Sequence, residues 1–165
     1  MELQLIRNRD EATELIAFFL AAGMFATPLT PGELQVIRNN PYESLVRQTS
    51  AYWVGRDATG RLTAGLGIRE HANQTGIYEL TCIAVSPESR QRGLGVKMLE
   101  TALRYVERLG GRGMLVDTSD HAGYASMCKL LQRCGFTRIG HLPEFYYPGE
   151  GMYLYYRLLG RKASA

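Results

Sequence analysis

Two hydrophobic periods run along the chain, and each predicts a different kind of element. Apolar residues that recur every three to four positions predict amphipathic helices, whereas alternation or a short apolar run predicts strands. The helical period is found at residues 10–23, from Thr30 to residue 39 or beyond, at 93–109 and at 121–135. The strand patterns fall within residues 3–8, 51–70, 76–85, 111–119 and 136–159. The resulting order, β-α-α-β-β-β-α-β-α-β-β, contains no linker or repeat and predicts a single domain over residues 1–165.

Local signals define where several of these helices begin and end. Acidic residues lie in the first turn of the first helix, and Gly23 is expected to end it. Thr30 is predicted as the N-cap of the second helix, with Pro31 at its first position and Glu33 completing a capping box. Gly135 is predicted just beyond the fourth helix, where a left-handed residue closes many helices.

The stretch "IAVSPESRQRGLGV" at residues 83–96 joins the strongest strand to the third helix. Gly93 and Gly95 have no Cβ atom, so a ligand can approach the backbone closely there. The helix start directs unpaired N–H groups and a positive dipole end outward, and Arg90 and Arg92 add positive charge. No Gly-Lys-Ser/Thr follows and the third glycine of a Rossmann fingerprint is absent. The stretch therefore predicts a phosphate site of another kind.

Composition narrows the function further. The chain has 165 residues, of which 45% are hydrophobic and 21% charged, as in ordinary soluble domains. A formal net charge of +3 without a basic run argues against nucleic-acid binding. No apolar run is long enough to span a bilayer, and the amino terminus lacks the basic and apolar regions of a signal peptide, so we expect a cytoplasmic protein. The three cysteines and three histidines have no metal-ligand spacing, which predicts free thiols and no metal.

The array from "YELTCIAVSPESRQRGLGV" through the following helix and strand to Gly135-Phe136 resembles the GNAT superfamily of acetyl-coenzyme A-dependent N-acetyltransferases. In that family an apolar strand ending Ile-Ala-Val-x-Pro leads into Arg/Gln-x-x-Gly-x-Gly/Ala and a long helix. The resemblance is strong over residues 76–137, and the element order extends it over the whole chain. It implies a mixed α/β fold with a twisted, mostly antiparallel sheet of about seven strands, one splayed parallel pair and about four flanking helices.

The resemblance also implies acetyl-coenzyme A as cosubstrate, held by the backbone. The strand edge at Ile83, Ala84 and Val85 would pair with the pantetheine arm, and Arg90 occupies the first position of the phosphate motif. A strand amide near the thioester carbonyl would stabilise the charge that develops on its oxygen. The residues implied to hold the pyrophosphate are Gln91, Arg92, Gly93, Leu94, Gly95 and Val96.

Catalytic roles are carried over in the same way. Glu79 lies six positions before Val85, where several GNAT enzymes carry a glutamate general base, and its nearly apolar run predicts a raised pKa. The alternative is a solvent-facing or arginine-paired carboxylate. The family's usual general acid is a tyrosine, but this chain has Leu131 at that position. Tyr124 and Tyr146 are therefore the candidate acids, although a thiol with a pKa of about 8 to 9 also leaves unaided.

The predicted acceptor is a primary amine of a small molecule or a protein. Tyr146, Tyr147, Glu144 and Glu150 cluster around a Pro-Gly turn and would suit a cationic amine, but the alternative is an ordinary hairpin whose tyrosines alternate between core and surface. A non-catalytic acyl-coenzyme A sensor is the alternative to an enzyme. The predicted partners are acetyl-coenzyme A and the amine, with no nucleic acid and no membrane, and the sequence leaves a homodimer open.

Overall fold

The computed structural model of the protein describes residues 2–160, and its elements follow the predicted order. Within that range there are seven strands: β1 (Leu3–Leu5), β2 (Ser50–Arg56), β3 (Leu62–Glu70), β4 (Ile77–Val85), β5 (Gly113–Ser119), β6 (Thr137–Tyr147) and β7 (Glu150–Leu158). The helices of the same range are α1 (Arg9–Phe19), α2 (Pro31–Glu43), α3 (Leu94–Arg108) and α4 (Ala125–Arg133). Short 3₁₀ turns at Pro87–Ser89 and Ala122–Tyr124 precede α3 and α4.

The strands form one mixed sheet in the order β1-β2-β3-β4-β5-β7-β6. β4 and β5 are parallel, with registered pairs from Ile77 with Gly113 to Glu79 with Leu115, and β4 continues beyond the last of these pairs to Val85. The pairs β1–β2, β2–β3, β5–β7 and β6–β7 are antiparallel. The expected mixed sheet, mostly antiparallel with one parallel pair, is confirmed over residues 2–160.

The chain divides into two compact units. The first comprises the residues up to Arg69 together with Thr81–Met98, and the second comprises Glu70–Leu80 together with the residues from Leu99 onward. The expectation that they make a single domain stays a prediction.

In the first unit the apolar core is built on one face of α1. Ala12, Leu15 and Phe19 recur at helical spacing, are fully buried and pack with side chains of α2, β2 and β4. The Asn8 side chain caps the helix, because its oxygen accepts a hydrogen bond of 2.9 Å from the Glu11 amide. Burial and capping together explain why this segment is helical.

The predicted end of α1 at Gly23 is wrong, because the helix ends at Phe19. The Ala21 amide bonds to the Phe18 carbonyl at 3.3 Å, which is a tightened turn rather than a helical bond. Residues 20–23 are exposed, so no buried face holds another helical turn in place. Gly23 instead takes a left-handed φ of +77° in the loop that follows.

α2 begins as the sequence predicts. The Thr30 side chain accepts from the Glu33 amide at 3.2 Å, and the Glu33 carboxylate accepts from the Thr30 amide at 2.7 Å. These reciprocal bonds are the capping box, and Pro31 occupies the first helical position. The helix runs to Glu43 with Pro41 inside it, beyond the minimum of residue 39 that the sequence set.

In the second unit the register of β5 and β7 is continuous from Gly113 with Leu158 to Ser119 with Met152. The end of α4 confirms the prediction for Gly135, which has a φ of +79°. Its amide bonds to the Gln132 carbonyl at 3.0 Å, and the Phe136 amide bonds to the Leu131 carbonyl at 3.0 Å. This pair of bonds is a Schellman motif, which explains why a glycine and a buried phenylalanine follow the helix.

Candidate cofactor and active site

The connection from β4 to α3 is built from a 3₁₀ turn and two left-handed residues. Gln91 has a φ of +61° and Gly93 a φ of +74°, so two left-handed residues flank Arg92 just before α3 begins. The first helical bond joins the Lys97 amide to the Gly93 carbonyl at 3.3 Å. Successive residues of alternating hand direct their N–H groups toward one concave surface, which is a common anion-binding geometry.

Six successive backbone amides, from Gln91 to Val96, have no hydrogen-bond acceptor among residues 2–160. Three of them open α3, whose first turn contains no acidic side chain. A Cβ atom added to Gly93 would meet nothing within 4 Å, so the space in front of this backbone is open. Free donors at the positive end of a 15-residue helix have the chemistry that a diphosphate requires, and its binding there stays a prediction.

The two arginines of this loop have different surroundings. The Arg90 guanidinium donates three hydrogen bonds to backbone carbonyls, one of them to Val85 at 3.0 Å. Arg92 is exposed and makes no hydrogen bond or ion pair with any of residues 2–160. Positive charge with no protein partner among residues 2–160 is therefore available at Arg92, whereas three of the five N–H donors of Arg90 already bond to carbonyls.

β4 presents two faces that differ in burial. Tyr78, Leu80, Cys82 and Ala84 are buried, whereas the residues between them are half-buried. Glu79, Thr81, Ile83 and Val85 therefore share one face of the strand, because side chains alternate along it. Ala84, one of the three residues expected beside pantetheine, directs its side chain into the core. Only its backbone groups remain for a ligand.

Glu79 lies beside a histidine that the sequence interpretation did not connect with it. The His71 Nε2 is 3.6 Å from the Glu79 Oε1. The Glu79 side chain is 25% exposed. The His71 Nδ1 accepts from the Asn73 amide at 3.2 Å, so the neutral imidazole carries its proton on Nε2, facing the carboxylate. The surroundings of Glu79 are thus less apolar than its sequence neighbours predicted.

The two candidate acids occupy different settings. The Tyr146 hydroxyl donates to the Asp117 Oδ2 at 2.6 Å, and its ring packs edge-on against Phe145 at 5.4 Å. Tyr124 is half-buried at the end of the 3₁₀ turn before α4. Leu131, at the usual tyrosine position, is fully buried with 0% exposure. The core therefore takes up the position where the family commonly carries a phenol.

Polar side chains at the end of β5 are paired with the β6–β7 hairpin. The Ser119 hydroxyl donates to the Glu150 Oε1 at 2.6 Å. The Asp120 carboxylate bonds to the His141 Nε2 at 2.8 Å and accepts from the Gly151 amide at 2.7 Å. The hydrogen bond from His141, and next that from the Gly151 amide, hold the pKa of Asp120 below its ordinary value.

Sequence reasoning missed most of this network. Asp117, Ser119, Asp120 and His141 were not singled out, because each finds its partner on a distant segment. Of the predicted acceptor cluster, Tyr146 and Glu150 are bonded to β5, while Glu144 is exposed with a φ of +54° and Tyr147 is half-buried. One sequence signal existed, since the hairpin around the Pro-Gly turn must place β6 residues opposite β7.

Residues 2–160 contain no group of three His, Cys, Asp or Glu side chains arranged to hold a metal ion. Cys82, Cys128 and Cys134 are free thiols, and only Cys128 is not buried. Among the helices of the described chain, none has the length and apolar character needed to cross a bilayer.

Comparison with known proteins identifies the class of this chain. The family model for acetyltransferases of the GNAT family matches residues 18–136. A GNAT-family protein of known structure from Desulfovibrio desulfuricans superposes with a TM-score of 0.81 and 23% identity, covering 96% of this chain and 99% of that one. No curated protein matches.

Two further solved structures are similar in fold. An aminoglycoside 6'-N-acetyltransferase complexed with coenzyme A gives a TM-score of 0.77 and 12% identity over 99% of this chain and 100% of that one. A variant of spermidine N-acetyltransferase from Vibrio cholerae gives a TM-score of 0.72 and 16% identity, covering 96% of this chain and 95% of that one. The protein therefore belongs to the GNAT family of acetyltransferases. Its seven-strand mixed sheet and the helices of residues 2–160 form the GNAT fold.

Proposed function

We propose that the protein transfers the acetyl group of acetyl-coenzyme A to a primary amine of a small molecule or a protein. The observation that carries this proposal is the run of six unpaired amides from Gln91 to Val96 within the described chain. Family membership supports the reaction class. A relative in fold is complexed with coenzyme A, and the names of two relatives point to amine acceptors.

The cofactor-binding residues act mainly through their backbone. The Gln91–Val96 amides and the positive end of α3 would bind the diphosphate, and the exposed Arg92 would add one positive charge. The edge of β4 at Ile83, Ala84 and Val85 would pair with pantetheine, and a strand amide would stabilise the thioester oxygen. When bound, acetyl-coenzyme A would supply the acetyl group: the amine nitrogen forms the new bond to the acetyl carbon, the thioester C–S bond breaks, and coenzyme A leaves as a thiolate, whose thiol has an ordinary pKa of about 8 to 9.

Glu79 would act as the general base. A primary amine with a pKa of about 10 is protonated at neutral pH, so a group must remove its proton before the nitrogen can attack. The Glu79 carboxylate would take that proton directly or through one water molecule. The His71 Nε2, 3.6 Å away, would orient the carboxylate. A thiolate leaves without a proton donor, so a buried Leu131 is compatible with turnover.

Thiol release tests the proposal. The purified protein is incubated with acetyl-coenzyme A and a panel of primary amines that includes spermidine, an aminoglycoside and a lysine peptide, and free thiol is measured. We expect release that depends on one class of amine and the acetylated amine as product. Coenzyme A binding without turnover on any amine would contradict the enzymatic role, and absence of coenzyme A binding would contradict the site itself.

A non-catalytic acyl-coenzyme A sensor is the second candidate. The observation that favours it is the position of Leu131, which is fully buried where the family commonly carries the acid. A sensor would bind acetyl-coenzyme A through the same amides but would release no thiol above the rate of spontaneous hydrolysis. The thiol assay therefore separates the two candidates directly.

A further inference from the structure

Arg90 is the first residue of the Arg-x-x-Gly-x-Gly pattern, and its guanidinium donates hydrogen bonds to backbone carbonyls of the protein. Its Nε donates to the Val85 carbonyl at 3.0 Å, at the end of β4. Its Nη2 donates to the Gly23 carbonyl at 3.1 Å and to the Met24 carbonyl at 3.0 Å. The single hydrogen of Nε and both hydrogens of Nη2 are therefore directed at three carbonyl oxygens.

The two carbonyls bonded by Nη2 lie in the loop of residues 20–30 between α1 and α2. This loop begins where α1 loses its buried face, and Gly23 takes a φ of +77° within it. Within the loop the Met24 amide bonds to the Ala21 carbonyl at 3.4 Å, and the side chains of Met24, Phe25 and Leu29 pack against the apolar core, so the bonds from Arg90 act in addition to these contacts. Hydrogen bonds from a charged donor are stronger than those between neutral groups, so Arg90 is a substantial tie between this loop and the strand end.

The hydrogen bonds of Arg90 also define where the segment Gln91–Val96 begins. Arg90 follows the 3₁₀ turn Pro87–Ser89, and its own amide bonds to the Pro87 carbonyl at 3.4 Å. With its side chain anchored to Val85 and its backbone anchored to Pro87, the residue fixes the start of the left-handed path through Gln91 and Gly93. The Arg92 side chain has no hydrogen-bond partner among residues 2–160, so it does not fix the path of the backbone in this way.

We propose that Arg90 is a positioning residue that holds the loop of residues 20–30 against the end of β4 and so sets the path of the Gln91–Val96 amides, and that it is not a cationic ligand of the diphosphate. This inference rests on the proposed function, because the amides are taken to bind coenzyme A. It assigns hydrogen bonding to Arg90 and free positive charge to Arg92.

Substitutions that separate hydrogen bonding from charge test this assignment. In Arg90→Gln the side-chain nitrogen occupies the place of Nε and keeps the bond to the Val85 carbonyl, whereas Arg90→Met has a similar length and no donor. We expect the dissociation constant for coenzyme A, measured by titration calorimetry, to rise about threefold in Arg90→Gln and about tenfold in Arg90→Met. Both variants should keep the salt dependence of the wild type, because neither loses a charge that contacts the ligand.

Arg92→Gln is the matched control, since it removes the same charge two residues away. We expect it to weaken binding mostly at low salt and to flatten the salt dependence, as loss of an exposed cation near a diphosphate should. If Arg90→Gln and Arg90→Met weaken binding equally and flatten the salt dependence as Arg92→Gln does, the positioning role is wrong. An unchanged dissociation constant in Arg90→Met, with only a lower melting temperature, would reduce Arg90 to a general stabiliser and would also overturn it.

Limited proteolysis tests the tie to the loop without coenzyme A. We expect chymotrypsin to cleave after Phe25 several times faster in Arg90→Met than in the wild type or Arg92→Gln. Equal cleavage in all three would contradict the proposal even if coenzyme A binds as expected. A wild type that binds no coenzyme A would instead refute the proposed function, and the cleavage rates would still report whether Arg90 holds the loop.

Discussion

The loop of residues 91–96 and the end of β5 are both rich in polar groups, but those groups are organised in opposite ways. In the loop the backbone amides have no acceptor within residues 2–160, and the side chain of Arg92 is likewise unpaired there. At the end of β5 the polar side chains are bonded to one another, as in Tyr146 with Asp117 and His141 with Asp120. The first region has donors with no acceptor among residues 2–160, as a binding site for an anion would require, whereas the second satisfies many of its own hydrogen bonds.

This difference teaches where a ligand changes the free energy most. Unpaired amides at a helix start gain bonds when an anion arrives and lose only water. A carboxylate that already accepts hydrogen bonds has part of its negative charge compensated, so it gains less free energy when it binds an amine. Substitutions in the loop should therefore act on coenzyme A affinity, and substitutions at the end of β5 should act first on stability.

The largest expected effect is that of Gly93→Glu. The new side chain would extend into the open space before the amides, bring a negative charge to a diphosphate site and require a residue with a Cβ at a φ of +74°. We expect the dissociation constant for coenzyme A to rise about 1,000-fold, which is about 4 kcal/mol. Calorimetric titration measures it.

Gly60→Glu is the control for that variant. Gly60 has a φ of +86° and nothing within 4 Å of an added Cβ, so it carries the same backbone strain and the same new charge in the β2–β3 turn. It should lose similar stability and keep its affinity for coenzyme A. Equal loss of affinity in both variants would mean that charge or misfolding, and not the amide site, is responsible.

The second effect concerns Glu79. We expect Glu79→Gln to lower kcat/KM about 100-fold at neutral pH, because an amide cannot accept the amine proton. At high pH the acceptor amine deprotonates itself, so the rate should recover toward that of the wild type. A pH–rate profile measures both. Glu100→Gln, an exposed glutamate on α3, is the control, and a Glu79→Gln profile parallel to that of the wild type would reject the base.

Tyr146→Phe should have a smaller effect and separates structure from catalysis. The variant loses the hydrogen bond to Asp117, and we expect the free energy of unfolding to fall by about 1 kcal/mol in urea denaturation. We expect kcat to fall less than about tenfold, because the phenol hydrogen is directed at Asp117 and a thiolate leaves unaided. A loss of about 100-fold in kcat would instead identify Tyr146 as the general acid.

The smallest effect should come from Asp120→Asn and should appear only in acid. The bonds to His141 and the Gly151 amide lower the folded-state pKa of Asp120 below 3.8, so this carboxylate stabilises the fold above that pH. The stabilisation is lost as the pH falls through the lowered pKa. Melting temperatures measured from pH 6 to pH 2 should therefore fall less steeply in the variant, and identical slopes would show that the pair contributes nothing.

Local features of the fold were predictable because their causes lie within a few residues. The capping box of Thr30 and Glu33 and the Schellman motif at Gly135 each need only a short segment, and both are confirmed. The end of α1 was not predictable in this way. Its last turn depends on which residues find a buried surface, and that is decided by elements far along the chain.

The candidate site likewise has features with local causes and features that depend on residues far apart in the sequence. Free amides follow from a strand, a turn and a helix start, so the sequence alone indicated residues 91–96. The tie from Arg90 to Gly23 joins residues 67 apart, and that from Tyr146 to Asp117 joins residues 29 apart. No local pattern encodes such pairs. The contact of His71 with Glu79 also depends on how the β3–β4 turn closes, so only the structure reveals it.

The alternation along β4 has a consequence for which substitutions this strand tolerates. Even-numbered positions from Tyr78 to Ala84 are buried, while odd-numbered ones from Glu79 to Val85 lie on the half-buried face. In a saturation library of the strand, the effects of substitution should therefore alternate from one residue to the next. Replacements at even-numbered sites should lower expression, and replacements at odd-numbered sites should alter turnover in well-folded protein.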